Sequence, residues 1–127
     1  MKFDGLSNRV IGCAIQVHRD LGPGLLESTL EQPRYAPLAH ELRLSGIAFR
    51  LQWPLPVHYR GVRIDCGYRV DIFVEDALIL ELKCVERIMS IHQAQLITYM
   101  KLAGIKVGLL INFNVIRLRD GIRRFVL

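Results

Sequence analysis

Asp71, Glu81 and Lys83 are three charged residues in the otherwise apolar stretch Arg69 to Lys83, RVDIFVEDALILELK. Two carboxylates side by side repel, and one is driven to hold its proton unless a cation sits between them. A hard divalent ion, Mg²⁺ (or Mn²⁺), supplies that cation and keeps positions open for water and phosphate oxygens. Lys83, next but one to Glu81, can orient or deprotonate an attacking water, or neutralise a phosphate. An acid pair with a lysine at a metal is the donor set that phosphodiester hydrolysis needs. The bland alternative is an exposed cross-strand ion pair, worth ~0–1 kcal/mol.

The backbone must bring these groups together. Strand side chains alternate, so Arg69, Asp71 and Phe73 share one face, as do Ile79, Glu81 and Lys83 on the second strand. A two-residue loop at Glu75-Asp76 pairs Asp71 with Leu80 and sends Glu81 to the far side. Setting Asp71 opposite Glu81 requires the three-residue loop Glu75-Asp76-Ala77, or a bulge.

The segment that follows reads as a helix capped by Ser90 and stopped by Gly104. His92, Gln95 and Tyr99 fall on one helical face, the first two at spacing i, i+3 and the last at i+7. Gln95 is placed to orient the water or a phosphate, and Tyr99 and His92 to contact the substrate. The alternative makes Tyr99 a half-buried aromatic with Gln95 its neighbour. Arg69 and Arg87 are candidates for gripping a phosphate backbone, Arg123 and Arg124 weaker ones. The chain holds 13 Arg against 4 Lys at net charge +5. Arginine's planar fork suits phosphate, although a merely basic surface explains the charge equally.

The remaining chain reads as scaffold. A first helix runs from a Ser7 cap to about Asp20, with Val10, Ala14, Val17 and Leu21 at helical spacing, and ends at Gly22-Pro23-Gly24. A second helical segment from about Leu25 is interrupted at Pro33 and Pro37 and resumes over Leu38–Leu44. Short strands are expected at Ile47–Gln52, Val57–Tyr59 and Val62–Ile64, and a strand buried on both faces at Lys106–Asn112. Asp120-Gly121 predicts a hairpin turn between strands Val115–Leu118 and Ile122–Val126. Helices, strands, a helix, then strands specify an α/β (α+β) sheet with helices packed on it.

Length and composition bound the rest. The 127 residues make one domain, 1–127, and 51% hydrophobic content is enough to fold. No apolar run reaches membrane-spanning length and the first residues lack a signal-peptide core, so a soluble cytoplasmic protein with no membrane partner is expected. Cys13, Cys66 and Cys84 show no paired spacing, which favours reduced thiols.

Asp71, Glu81-Leu82-Lys83 and the helix carrying Gln95 and Tyr99 together resemble the PD-(D/E)XK nuclease superfamily. More narrowly, LGPGLLES, LAHELRLSGI, the D…ELK hairpin, HQAQLITYMKLAG and GLLINFN resemble, in that order, the family named for its G-x-x-E-x-x-Y motif. The resemblance implies a restriction-endonuclease-like core: a central mixed β-sheet flanked by helices in α-β-β-β-α-β order, here with a C-terminal β-hairpin. It implies that Asp71 and Glu81 are metal ligands, Lys83 the catalytic lysine, and Glu27 a further acid at the metal. A helix-start carboxylate explains Glu27 equally. The chain departs from the motif at Leu30, which stands where the tyrosine belongs; Tyr35 is the next tyrosine. The expected function is a Mg²⁺-dependent nuclease acting on DNA, or RNA. The alternative is a non-catalytic nucleic-acid- or protein-binding module with the same fold. A homodimer through the late strands Val115 to Val126 is expected on symmetry grounds.

Overall fold

The computed structural model describes residues 4–23 and 35–127. The opening helix α1, Gly5–Leu21, buries Val10, Ile11, Cys13, Ala14 and Val17 along one stripe. Its cap is Asp4 rather than Ser7: the Asp4 carboxylate accepts from the Ser7 N–H at 2.9 Å and the Ser7 hydroxyl at 2.7 Å. An aspartate three residues ahead satisfies an orphan donor of the first turn, which leaves Ser7 inside the helix. Gly22 ends it at φ 78, a conformation costly to any residue with a Cβ. Helix α2 spans Ala36–Leu44, with Pro37 in its first turn. Pro37 therefore starts the helix instead of breaking it, because the donor it lacks has no partner there anyway. The expected helix start near Leu25 and the break at Pro33 lie outside the described residues.

Strand β1 covers Phe49–Pro54, two residues later than expected from Ile47–Gln52. Strands β2, Val57–Tyr59, and β3, Val62–Ile64, pair with each other as a separate ribbon. Its register puts Val57, Tyr59, Val62 and Ile64 on one side and His58 and Arg63 on the other. Strands β4, Arg69–Val74, and β5, Leu78–Lys83, form the apolar hairpin, and helix α3, Ser90–Ala103, carries the chain across to β6, Val107–Asn112. Since β5 and β6 run parallel, they need such a crossover. The last strand, β7, spans Ile122–Val126. The main sheet has the order β1-β4-β5-β6-β7, antiparallel apart from β5–β6. It is a mixed α+β fold of restriction-endonuclease-like type, and α1, β1, β4, β5, α3 and β6 give the expected α-β-β-β-α-β order.

The C-terminal hairpin is built differently from the expected one. Val115–Leu118 is not a strand, and Asp120-Gly121 lies in a 3-10 turn, Leu118–Gly121. Strand β7 pairs instead with β6, Ile111 facing Ile122 and Val107 facing Val126. A Cβ on Gly121 would overlap the Asn112 carbonyl oxygen, so the glycine serves close backbone approach rather than a tight turn.

Two apolar clusters fill the two sides of the sheet. On one, Val10, Ala14 and Val17 of α1 and Leu38 and Leu42 of α2 pack on Ile72, Val74, Leu80 and Leu82. On the other, Leu96, Tyr99 and Met100 of α3 pack on Phe73, Ile79 and Leu110. Gly108 lets α3 approach closely, since a Cβ there would sit 2.7 Å from the Met100 sulfur. Val70 departs from the alternation and joins the α3 side, next to Gln52, whose φ of 50 interrupts the β1 ladder.

Candidate active site

The loop between β4 and β5 holds three residues. Val74 faces Leu78, Phe73 faces Ile79 and Ile72 faces Leu80. Glu75 and Asp76 take positive φ values of 49 and 52, and Ala77 donates to the Val74 carbonyl at 2.9 Å. One further step of this register sets Asp71 opposite Glu81. Beyond the ladder the Asp71 carboxylate accepts the Leu82 N–H at 2.9 Å, so the side chain is held by the neighbouring strand's backbone.

Both acids are buried, Asp71 at 8% exposure and Glu81 at 4%. Burial pushes the Glu81 carboxyl up to about 9; the charge of Asp71 and a hydrogen bond with it add to this, and Lys83 opposes it. Without a cation Glu81 thus keeps its proton at neutral pH. Its Oε1 is buried and has no hydrogen-bond partner among the described residues. A buried acceptor left unsatisfied costs about 1–3 kcal/mol, so such an atom signals a missing partner. A divalent cation is a fitting one, because it would discharge the proton and engage both carboxylates. Among the described residues no three His, Cys, Asp or Glu side chains converge. Mg²⁺ is compatible with two, as it is commonly held by one or two carboxylates plus water and phosphate.

Lys83 is half-buried at the end of β5, on the same side as Glu81 by alternation. The backbone around it is clamped. Phe113 donates to the Lys83 carbonyl at 2.9 Å. The Asn112 side chain grips Val85 at both ends, accepting its N–H at 3.0 Å and donating to its carbonyl at 2.8 Å. Asn114 adds a bond to the same carbonyl at 3.2 Å. Neither asparagine was expected at the site. The available signal was a polar residue closing the apolar run VGLLIN, where a buried amide must find partners.

On α3, Gln95 donates to the Tyr99 hydroxyl at 3.2 Å. Tyr99 is buried, and its phenol is pushed up first by burial, then by the charge of Glu81. Tyr99 packs with Phe73 and Ile79, on the side of the sheet that Glu81 takes by alternation. Ser90 is not the cap of α3. Met89 holds that position, and its N–H is taken by His92 Nδ1 at 3.0 Å, so His92 serves the helix terminus. A ring nitrogen placed at the third helical position reaches this donor, whereas the Ser90 backbone is already helical.

The arginines divide. Arg69 is exposed, donates to the Tyr68 carbonyl at 2.9 Å and lies 3.8 Å from Asp65. Arg87 lines a different cavity from Tyr99, together with Asn112, Asp120 and Arg123. Arg124 pairs with Asp4 at 2.7 Å, tying β7 to the start of α1. Glu27 and Leu30 lie outside the described residues. Tyr35 packs against the α1-side cluster, on the face away from Glu81.

A profile of the PD-(D/E)XK nuclease superfamily matches residues 4–125. The chain belongs to that superfamily. Comparison with curated proteins and with solved structures gave no match. For a PD-(D/E)XK protein the pairing of Asp71 with the Glu81-Leu82-Lys83 strand has a direct chemical reading. A nuclease domain implies a nucleic-acid substrate, and divalent metals are typical of the superfamily. Among the described residues no helix is long and apolar enough to cross a membrane.

Proposed function

We propose that this chain is a Mg²⁺- or Mn²⁺-dependent nuclease that hydrolyses phosphodiester bonds of DNA, with RNA as the second substrate class. The observation that carries the reading is the buried pair of Asp71 and Glu81, with Glu81 Oε1 unpartnered among the described residues. A bound divalent cation supplies Lewis acidity toward the phosphate and lowers the pKa of a water. Asp71 and Glu81 hold it, Asp71 kept in place by the Leu82 N–H. Lys83 neutralises the phosphate and orients the water, which adds to phosphorus as the ester P–O bond breaks. Gln95 fixes the Tyr99 hydroxyl as a phosphate contact. Arg69 and Arg87, both exposed, extend contact to the backbone. Within the superfamily we assign the chain to the narrower G-x-x-E-x-x-Y group, with Glu27 as an additional acid. The β7 edge, last in the sheet, is the surface for a homodimer.

Calorimetric titration of Mg²⁺ or Mn²⁺ tests the site. The natural chain is expected to bind and Asp71→Asn to lose binding; identical titrations for both would remove the metal reading. Cleavage of circular or branched DNA is expected to fall at least a hundredfold in Lys83→Ala, the scale of a positioned proton-transfer or charge-stabilising group. Equal residual cleavage by both proteins would favour the non-catalytic binding module, for which Leu30 in the motif tyrosine's place is the supporting feature.

A further inference from the structure

A cavity of about 310 Å³ opens on the α3 side, lined by Tyr68, His92, Gln95, Thr98 and Tyr99 among others. Four of these come from α3, while Tyr68 comes from the loop entering β4, three residues before Asp71. The Tyr68 and Tyr99 rings lie 5.6 Å apart between centroids, tilted by 44°. This is a favourable aromatic spacing, but the two rings are not equivalent. Tyr99 is buried and its hydroxyl is held by Gln95, whereas Tyr68 is 36% exposed. One ring is anchored in the α3 cluster, and the other offers surface to a ligand.

The polar groups around the rings are set for a flat, hydrogen-bonding ligand. His92 Nδ1 accepts the Met89 N–H, so the neutral ring carries its proton on Nε2 and has a donor left to give. Thr98 adds a hydroxyl and Gln95 an amide. Among the described residues no charged side chain lines the cavity, which makes it a poor phosphate site and a suitable place for an uncharged aromatic heterocycle. The phosphate chemistry belongs at Asp71, three residues along the chain from Tyr68.

We propose that this cavity holds one unpaired nucleobase of the substrate strand, stacked on Tyr68 and next to the phosphate at Asp71 and Glu81. The identity of the ligand rests on the nuclease reading. A base inside a duplex stack cannot enter such a pocket without leaving its partner. The substrate class is therefore a single strand, a frayed end or a branch with an unpaired nucleotide, in preference to continuous duplex. Stacking accepts any base, so base preference is weak and comes from the His92 and Thr98 donors.

Binding is measured by fluorescence anisotropy in a Lys83→Ala background, which spares the substrate, using one oligonucleotide as single strand and as blunt duplex. The single strand is expected to bind about tenfold tighter, and Tyr68→Ala to remove about tenfold of its affinity while changing the duplex less than about twofold. Tyr68→Phe, which keeps the stacking ring, is expected to retain binding. A 2-aminopurine in the strand is expected to be quenched on binding and to lose that quenching with Tyr68→Ala, a signature that a purely structural tyrosine does not give. Equal affinities for strand and duplex, or an equal loss for both with Tyr68→Ala, would overturn the proposal. Cleavage of continuous duplex that ignores Tyr68→Ala would sink the pocket and leave the nuclease reading standing. A Tyr68-dependent strand preference in a protein whose cleavage is unaltered by Lys83→Ala would sink the nuclease reading and keep the pocket.

Discussion

The same six residues of β5 build two unlike surfaces. Leu80 and Leu82 point toward α1 and α2, into a cluster made wholly of apolar side chains. Ile79, Glu81 and Lys83 take the other side, where Ile79 joins the α3 cluster and the two charged groups lie further along the strand. The α1 side is held mainly by apolar packing, and its buried His18 meets the Val115 carbonyl at 2.7 Å. The α3 side contains two buried acids, one with an oxygen that nothing described satisfies. A buried acceptor left without a partner costs about 1–3 kcal/mol, which apolar packing on the other side does not incur. The comparison separates a face held by apolar packing from one that buries two acids.

Leu80→Ala puts the largest strain on this division. The side chain is fully buried on the α1 side, and the substitution is expected to destabilise the fold by about 2–5 kcal/mol in denaturant titrations. Cation binding by the folded fraction should stay unchanged. Loss of cation affinity without loss of stability would show that the two faces are not independent.

Glu81→Gln makes the opposite test. The folded-state carboxyl is raised to about 9 from an ordinary 4.5, so between these values the folded chain holds a proton that the unfolded chain releases. Stability contributed by that proton is present at low pH and is lost as pH rises toward 9. Without divalent cation, Glu81→Gln should therefore gain on the natural chain between pH 5 and pH 8, by at least about 1 kcal/mol, roughly one pH unit's worth of shift. Saturating Mg²⁺ should reverse the order, because only the natural chain gains binding energy. Parallel stability profiles for the two proteins would mean that Glu81 is not strained.

The smallest effect belongs to the α1 side. Asp4 caps α1 and pairs with Arg124, and its carboxyl is held down at about 2, chiefly by the Ser7 N–H. Asp4→Ala should cost about 1 kcal/mol at neutral pH. A group with a lowered folded pKa contributes above its unfolded value of 3.8, so the gap should close as pH falls from there toward 2. A gap that persists at pH 2 would assign the effect to something other than the carboxylate.

Much of this arrangement is legible in the residues themselves. Alternation over β4 and β5 separates Asp71, Glu81 and Lys83 from the leucines, and the three-residue loop follows from requiring the acids to meet. Local signals failed where a distant partner outbid them. Asp120-Gly121 reads as a hairpin turn, but the Asn112 carbonyl occupies the space above Gly121 and β7 finds β6 instead. Ser90 reads as a cap, but its own backbone is already helical and Met89 takes the cap position. Tyr68 and Asn112 carry no spacing signal, because each acts across the fold, on α3 and on Val85 respectively.

By itself, then, the order of residues determined the period of each strand, the face each charge takes and the chemistry that an acid pair with a lysine can perform. Those are properties of neighbours along the chain, set by backbone geometry. Only the tertiary structure decided how deeply the pair is buried, which oxygen lacks a partner among the described residues and which ring stands exposed against α3. Burial and hydrogen-bond satisfaction depend on groups remote in sequence, and here they bury the two acids of an apolar hairpin and open a cavity walled by two tyrosines on the α3 side.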